Sequence, residues 1–522
     1  MRYLNLIAAF ILTSLAFAQD RPNILLIVAD DLGYTDLGCF GSEIATPNID
    51  ALAEEGIAFT NFHTAPTCAP TRAMLFSGND NHTAGMGSQF RKTGEYGYEG
   101  HLSGRIIPFP QLLRDNGYHT SITGKWHLGT EPEHNPANKG FEQSFALLLG
   151  AANHSDDTGF SDGHPISPYT ENGQKTEWPK NRYSTDLYTD KLIEFIGNHK
   201  DDDQPFCAIA TYTSPHWPLQ VEESFWRKYE GWYSGGYETL RDQRLNGLKD
   251  LGIVPEETEL PILHPSVSSW ASLDSIERKR EERKMELYAG MVENLDHHVG
   301  RIITFLRENQ LYENTLIVFM SDNGAASRDF YHRGPFKEFI QAHYNNDYEN
   351  MGKPNSFVSY GPPWAEAGTA AFRYYKDYTL EGGLRTPMIV RGPGLERQAG
   401  YSEEFISVMD LAPTFLDLAG INYPTSDFPM KGESIIPYLS TEKNHIHDEG
   451  YVFFVEQSGA ATIIQDGWKL VSMREETWEF NLYRPELDLS ESKDLSSEYP
   501  EIRAKLDSVW LDYKKKLKIL DP

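Results

Sequence analysis

Two acidic pairs in this sequence are candidates for holding a metal ion. Asp30 and Asp31 follow the apolar run NILLIVA, and Asp322 and Asn323 follow the run TLIVFMS. Adjacent carboxylates repel each other unless a cation lies between them, and hard ions such as Ca²⁺ and Mg²⁺ prefer oxygen ligands. One such pair alone is more often a turn or a helix cap. Two pairs, each at the end of a predicted strand, favour a metal site.

A cysteine in a polar turn is the third candidate group. Cys68 lies in HTAPTCAPTRAMLFSGND, directly before an apolar helical run. We expect the helix to begin near residues 69–71, so Cys68 faces unpaired N–H groups and the positive end of the helix dipole. Arg72 adds a fixed positive charge one turn further on. This stretch therefore predicts an anion-binding position, at which an ordinary thiol would be acidic and nucleophilic.

Basic side chains follow the same kind of apolar run. Lys125 and His127 come after HTSITG, His216 comes after FCAIATYTS, and Lys376 lies shortly before the apolar run PMIVRGPG. A lone histidine is usually structural and a lone lysine is usually solvated. Several basic groups on one rim of a strongly acidic chain instead indicate a pocket for an anion.

These groups require elements that bring them together. The chain repeats a short apolar run, a polar cluster and a helical segment, which predicts an α/β fold with a large, mostly parallel sheet sandwiched by helices. Ligands bind beyond the carboxyl ends of the strands in such sheets, where the polar clusters fall. Helices are predicted in IDALAEEGIAF, with Ile49, Leu52, Ala53 and Ile57 on one stripe, and over 280–308.

The pattern changes after about residue 430. Strands are predicted in GYVFFVEQSG, ATIIQDGWKLVSM and TWEFNLYRPELD, followed by a closing helix over 498–517. We therefore predict a catalytic domain over 19–430 and a smaller C-terminal antiparallel α+β subdomain over 431–522.

The N-terminus and the composition indicate where the protein acts. Arg2, an apolar run over 4–15 and the triplet Ala16-Phe17-Ala18 predict a signal peptide over 1–18, hence a periplasmic or secreted protein. No other stretch is apolar enough to cross a bilayer, so no integral membrane segment is expected. The 47 basic and 76 acidic residues give a formal charge of -29, which argues against a nucleic-acid partner.

The three cysteines are an odd number for an exported chain, so at least one thiol is unpaired or modified. Cys207 lies in an apolar run and is predicted to be buried and inert, and Cys39 lies in a glycine-flanked loop. A reactive thiol at Cys68 would be oxidised easily outside the cytoplasm. A hydrolase that uses an unmodified cysteine is therefore disfavoured.

The segment Cys68-Ala-Pro-Thr-Arg72, with its flank AMLFSG, resembles the C-x-P-x-R signature of the type I, formylglycine-dependent sulfatases. The resemblance extends through RPNILLIVADDLGYTDLGCFG, GYHTSITGKWHLG, SPHWP, MSDNGA and KDYTLEGGLRTPMIVRGPG, and is strongest to the bacterial arylsulfatase branch. It implies an alkaline-phosphatase-like fold and hydrolysis of a sulfate ester. It also implies that a formylglycine-generating or sulfatase-maturating enzyme converts Cys68 to formylglycine (3-oxoalanine).

The resemblance assigns roles to the candidate residues. The implied ligands of one Ca²⁺ per chain are Asp30, Asp31, the modified Cys68, Asp322 and Asn323. The implied catalytic residues are Cys68, Arg72, Lys125, His127, His216 and Lys376. Arg72 and the two lysines would neutralise the sulfate, His216 would assist the departing alcohol, and His127 would take the proton that allows sulfate to leave the hydrated aldehyde.

The sequence leaves alternatives open. A phosphate or phosphonate monoester hydrolase of the same superfamily would share the fold, and a non-catalytic sulfated-glycan-binding protein would keep the pocket without turnover. A zinc pair is disfavoured because the clusters contain few histidines. The resemblance implies an aryl sulfate or a sulfated carbohydrate, such as a polysaccharide fragment, as the substrate. Loops over 150–185, 217–275 and 326–375, rich in aromatic and amide residues, suit recognition of either.

Overall fold

The computed structural model describes residues 21–89, 91–473 and 477–522, so the predicted signal peptide over 1–18 lies outside the described residues. The strands are β1 Asn23–Ala29, β2 Ile57–His63, β3 His119–Lys125, β4 Gln143–Leu147, β5 Thr158–Ser161, β6 His164–Ile166, β7 Tyr169–Glu171, β8 Gln174–Thr176, β9 Phe206–Thr211, β10 Thr315–Ser321, β11 Arg385–Arg391, β12 Gly400–Ser402, β13 Ile406–Ser407, β14 Val452–Gln457, β15 Ala460–Gln465, β16 Trp468–Ser472 and β17 Phe480–Tyr483. The helices are α1 Pro47–Glu55, α2 Cys68–Ser77, α3 Phe109–Asp115, α4 Ser184–Gly197, α5 Glu223–Trp226, α6 Gly236–Asp250, α7 Ser275–Glu308, α8 Lys337–His343, α9 Gly361–Gly368, α10 Glu381–Leu384, α11 Leu411–Leu418, α12 Ile436–Leu439 and α13 Pro500–Lys516.

The central sheet has the strand order β12-β2-β11-β10-β1-β9-β3-β4-β7-β8, with β13 also paired to β2. The strands β10, β1, β9, β3 and β4 run parallel, as their continuous apolar runs predict. β11 runs antiparallel to β10, because α10 ends at Leu384 and the chain enters β11 from the carboxyl edge of the sheet. The predicted mostly parallel sheet between helices is confirmed.

Alternate residues of β1 belong to two cores, one on each face of the sheet. Leu25 and Ile27 pack with side chains of α1, α4 and α7. Ile24, Leu26 and Val28 pack with side chains of α2, α3 and α11. Each fully buried side chain of this kind contributes roughly 1.5–3 kcal/mol. Burial on both faces therefore fixes the register of the strand whose carboxyl end carries Asp30 and Asp31.

One predicted helix is shorter than its apolar stripe. α1 ends at Glu55, and Ile57 begins β2, so the assignment of Ile57 to the helix is wrong. Gly56 explains the change. A Cβ atom at this position would lie 2.3 Å from the carbonyl oxygen of Val390, so only glycine lets the chain pass this close to β11 on its way into the sheet.

The second predicted helix is longer than expected. α7 begins at Ser275, where the Asp274 side chain accepts from the backbone N–H groups of Ile276 and Glu277, and Glu277 accepts from the Asp274 N–H in return. This capping box starts the helix five residues before the predicted 280. Across the described residues, no helix combines the length and apolar character that a bilayer span needs.

The C-terminal region forms its own sheet. β14, β15, β16 and β17 are antiparallel neighbours in chain order, and α13 packs on them through Leu506 and Trp510. The predicted closing helix over 498–517 corresponds to α13. The predicted boundary at residue 430 stays a prediction.

Candidate active site

The carboxyl ends of neighbouring parallel strands bring the two acidic pairs together. Asp30 and Asp31 follow β1, and Asp322 and Asn323 follow β10, which is hydrogen-bonded to β1 along its whole length. Lys125 is the last residue of β3, on the other side of β9. All five side chains are buried, at the edge where the sequence predicted a shared site.

Helix α2 delivers Cys68 to the same edge. The helix begins at Cys68 itself, and the turn before it is held by a hydrogen bond from the Ala65 N–H to the Thr71 hydroxyl, at 3.0 Å. The Cys68 Sγ lies 3.4 Å from Asp30 Oδ1 and 3.6 Å from Asp31 Oδ1. The side chain that the sequence singled out is therefore in direct contact with the first acidic pair.

Four of these side chains form a cluster of potential metal ligands. One ligand atom from each of Asp30, Asp31, Cys68 and Asp322 lies within 4.8 Å of the others, and all four residues are buried. Within the described chain, Asp31 Oδ2 and Asn323 Oδ1 are buried without a hydrogen-bond partner. Buried oxygens are rarely left without a partner, and a cation is one that both could share. The residues thus fit a Ca²⁺ site rich in oxygen ligands.

Three cations surround this cluster. Arg72 donates from Nε and Nη2 to Asp322 Oδ2, at 3.1 and 2.9 Å. Lys125 Nζ donates to both oxygens of Asp30, at 2.7 and 2.8 Å. Lys376 is the third, and all of them are buried. Positive side chains that face one buried point can neutralise a bound sulfate or phosphate.

The loop before β11 positions Lys376. Its Nζ lies 2.6 Å from Asp31 Oδ1 and 3.1 Å from Cys68 Sγ. The loop folds back on itself so tightly that a Cβ atom at Gly382 would lie 2.1 Å from the carbonyl oxygen of Tyr374. The glycine pair Gly382-Gly383 is the signal in the sequence that indicates this close approach.

The two histidines of the predicted site, His216 and His127, differ in their contacts. His216 Nδ1 is 2.6 Å from the carbonyl oxygen of Trp217, and its Nε2 is 3.3 Å from Asp31 Oδ2 without hydrogen-bond geometry. Within the described residues, His127 Nδ1 is buried without a hydrogen-bond partner. The His127 ring packs on Gly150, where a Cβ atom would lie 2.4 Å from Cε1. The contact to Trp217, which holds the His216 ring, could not be foreseen from the sequence.

Burial and charge set the protonation states. Burial raises the pKa of Asp30 to about 7, although Lys125 opposes this shift. Burial acts on Asp31 in the same direction, but Lys376 and other neighbouring cations outweigh it and lower the pKa of Asp31. Burial, assisted by the positive charge of Lys125, holds the pKa of His127 well below its usual range. His127 is therefore a neutral ring near pH 7 and can accept a proton.

The expectation of an acidic thiol at Cys68 is wrong. Burial, reinforced by the negative charge of Asp322, raises the pKa of Cys68 above its ordinary value, although Lys125 and Lys376 oppose the shift. Desolvation and the carboxylates outweigh the helix dipole. An unmodified cysteine is a poor nucleophile in this arrangement. All three cysteines have free thiols in this structure.

The fold and the cluster at its carboxyl edge define a hydrolase of the alkaline-phosphatase-like class that acts on an anionic ester. The family model described as Sulfatase matches residues 22–421, and the model described as N-sulphoglucosamine sulphohydrolase, C-terminal, matches residues 371–516. The chain belongs to the sulfatase family, and it is a sulfuric ester hydrolase.

Similar proteins agree with this assignment. An uncharacterized sulfatase of Schizosaccharomyces pombe is 39% identical, over 94% of this chain and 93% of its own length. An arylsulfatase of Klebsiella aerogenes is 36% identical, over 84% of this chain and 94% of its own length. The solved structure of Ps i-CgsB in complex with k-i-k-neocarrahexaose is 26% identical with a TM-score of 0.65, and covers 92% of this chain and 90% of that one.

Proposed function

We propose that this sulfatase hydrolyses its ester with a formylglycine residue formed from Cys68 and with one Ca²⁺ ion. The observation that carries the proposal is the buried position of Cys68 Sγ, which contacts Asp30, Asp31 and Lys376 at 3.1–3.6 Å. In the mature enzyme the oxygens of residue 68 would replace this sulfur. The proposed ion would be held by that residue together with Asp30, Asp31, Asp322 and Asn323.

The formylglycine residue and the Ca²⁺ ion would each supply a defined chemistry. A hydrated aldehyde at position 68 offers two hydroxyl groups, one for attack on sulfur and one whose deprotonation releases sulfate, and a bound Ca²⁺ polarises a sulfate oxygen. The raised pKa of the Cys68 thiol supports a need for modification, because the unmodified residue is held in its uncharged form.

The side chains of the protein would orient the sulfate and move protons. Arg72, Lys125 and Lys376 would neutralise the sulfate oxygens, and their carboxylate partners hold them in place before the substrate arrives. His127, neutral near pH 7, would accept the proton whose removal frees sulfate. His216, whose Nδ1 faces the carbonyl oxygen of Trp217 and whose Nε2 faces Asp31, would assist the departing alcohol.

We propose a sulfated polysaccharide fragment as the substrate, with small aryl sulfates as the alternative. Ps i-CgsB, whose structure holds a neocarrahexaose, supports the first, and the Klebsiella arylsulfatase supports the second. The segments over 217–275 and 326–375 were predicted as loops, but they contain the helices α5, α6, α8 and α9. They carry aromatic side chains such as Trp232 and Tyr331, which suit contacts to sugar or aryl rings.

We also propose that the protein is exported, to the periplasm or outside the cell, and is matured by a formylglycine-generating or sulfatase-maturating enzyme. The predicted signal peptide over 1–18 supports export. The proposed catalytic domain covers 19–430 and the proposed C-terminal subdomain covers 431–522.

Paired substrates test the reaction. Protein matured in its native host is offered 4-nitrophenyl sulfate, 4-nitrophenyl phosphate and sulfated oligosaccharides, and released sulfate or phosphate is measured. Sulfate release from one of the sulfate esters, well above phosphate release, is expected. Faster phosphate release would favour the phosphate or phosphonate monoester hydrolase, and binding of sulfated sugar without sulfate release would favour a glycan-binding protein.

A further inference from the structure

The end of β3 opposite to Lys125 carries a second group of metal-ligating side chains. His119 is the first residue of β3, and its backbone N–H donates to the carbonyl oxygen of Pro205, ahead of β9. His199 and Asp202 lie in the turn that follows α4, and Glu142 precedes β4. The four residues therefore meet at the amino edge of the sheet, at the other end of the strand from the active site.

One carboxylate oxygen faces both imidazole rings. Asp202 Oδ2 lies 2.9 Å from His199 Nδ1 and 3.2 Å from His119 Nε2. One ligand atom from each of His119, His199 and Asp202 lies within 4.8 Å of the others. The cluster differs from a surface ion pair because two imidazole nitrogens and one carboxylate oxygen converge on the same point.

Glu142 offers an acceptor to the outer nitrogen of the first ring. His119 Nδ1 lies 3.1 Å from Glu142 Oε2 with hydrogen-bond geometry. When Nδ1 donates its proton to Glu142, the lone pair of His119 lies on Nε2, the nitrogen that faces Asp202. A carboxylate that accepts from the outer nitrogen of a histidine is the usual support of a metal-bound histidine.

The site is open to solvent. His119 is 18% exposed and His199 is 26% exposed, so an ion can enter and keep water as a remaining ligand. The two rings are stacked, with centroids 3.7 Å apart and planes 16° from parallel. Binding requires the rings to splay so that both lone pairs meet, and His199 lies in the turn after α4, outside any helix or strand.

We propose that His119, His199 and Asp202 bind a borderline divalent transition ion, with Zn²⁺ as the natural candidate and Glu142 as the supporting carboxylate. Two imidazoles and a carboxylate, completed by water, are an established ligand set for zinc, whereas the oxygen-rich cluster around Asp30 and Asp31 suits a hard ion. The ion would tie together β3, β4 and the turn before β9. This proposal is independent of the reaction at residue 68.

Zinc titration of the full chain tests it. The protein is first saturated with Ca²⁺ so that the active-site cluster is occupied, and Zn²⁺ binding is then followed by calorimetry and by the thermal midpoint. The native chain is expected to bind one Zn²⁺ and to gain thermal stability. The double variant H119A/H199A is expected to lose both effects, and Glu142→Gln is expected to bind zinc about 10–100-fold more weakly.

A matched control is His445→Ala, which removes an exposed histidine that pairs with one carboxylate, Glu404. This variant is expected to bind zinc as the native chain does. Either of two results overturns the proposal, namely no zinc binding by the native chain, or equal zinc affinity in H119A/H199A. Sulfate release without added zinc is expected to be unchanged in the double variant.

Discussion

Two buried ionic clusters of this molecule have similar contacts but different compositions. The catalytic cluster consists of Asp30, Asp31, Cys68, Arg72, Lys125, Asp322, Asn323 and Lys376. The joining cluster consists of His63, Glu381, Arg385, Lys469 and Glu491. In the joining cluster, Lys469 of β16 lies 2.6 Å from Glu381 and 2.9 Å from Glu491, so it connects the C-terminal sheet to α10.

The difference shows which features mark a reactive site. Lys469, Glu381 and Glu491 are as buried as the catalytic residues and as closely paired, yet none of them carries a thiol that could be converted to formylglycine. The catalytic cluster adds two carboxylates that are adjacent in the sequence, Asp30 and Asp31, and Cys68 at a helix N-terminus. Burial and ion pairing alone therefore do not distinguish catalysis from the joining of two sheets.

The largest expected effect is on residue 68. Cys68→Ala is expected to abolish sulfate release while leaving the thermal midpoint within a few degrees, because the residue lies at the edge of the sheet. Cys207→Ala is the matched control, since Cys207 is equally buried but lies in β9 away from the catalytic cluster. Full turnover by Cys68→Ala would refute the proposed role.

The second-largest expected effect is on turnover when His127, the proposed base, is replaced. His127→Gln is expected to lower turnover by about 10²–10⁴-fold, the usual contribution of a general base. Because burial and Lys125 lower the pKa of His127, the acid limb of the turnover profile is expected below the ordinary histidine value of about 6.5. That limb should vanish in the variant and persist in His445→Gln. An unchanged profile in His127→Gln would assign the base elsewhere.

Removing the central charge of the joining cluster is expected to affect stability. Lys469→Met leaves Glu381 and Glu491 buried without their cation, which destabilises a fold by about 3–5 kcal/mol. Denaturant unfolding measures this. The control is Lys493→Met, whose side chain is 64% exposed beside Glu498 and whose loss is expected to leave the free energy of unfolding nearly unchanged. Equal effects of the two variants would contradict a joining role.

Calcium removal is expected to affect the catalytic cluster and not the joining cluster. An ion present at 100 times its dissociation constant stabilises the folded state by about 2.7 kcal/mol, so a calcium-selective chelator should lower the thermal midpoint and sulfate release together. Added Ca²⁺ should restore both. Lys469→Met should keep its response to Ca²⁺, since its defect lies in the joining cluster. Metal-free protein with undiminished turnover would exclude the proposed ligand set.

The smallest expected effect is a pH dependence of the stability that His447 contributes. Burial lowers the pKa of His447, but Asp410, 3.0 Å away, outweighs burial and raises it. A raised folded pKa gives stability that is present below the unfolded value of about 6.5 and is lost as pH rises through the folded value. The advantage in thermal midpoint of the native chain over His447→Gln should therefore shrink from about pH 6 to pH 9. An advantage of the native chain that grows between these pH values would contradict a raised pKa of His447 in the folded state.

The sequence predicted the strands that carry the catalytic cluster, because an uninterrupted apolar run such as NILLIVA is typical of a strand that is buried on both faces of a parallel sheet. The ends of those runs then placed Asp30, Lys125 and Asp322 at one edge. The side-chain contacts within the edge were not predictable in the same way. The position of Lys376 depends on how closely Gly382 approaches Tyr374, which is a backbone contact that no periodicity reveals.

Contacts between distant parts of the chain were not predictable from local pattern. Lys469 is one polar residue in an otherwise apolar strand, and its partner Glu381 is 88 positions away. His119 and His199 are likewise remote in sequence and meet only because β3 pairs with β9. The direction of β11 also depended on the turn made by α10, not on the composition of the strand.

The central claim is that residue 68 of the working enzyme is an aldehyde and not a thiol. Mass spectrometry of the peptide containing residue 68, from protein matured in its native host, tests this directly, with hydrazide trapping to identify the aldehyde. We predict formylglycine at this position, in a fraction that scales with the specific rate of sulfate release. An unmodified cysteine in protein that still turns over sulfate ester at the full rate would contradict the account.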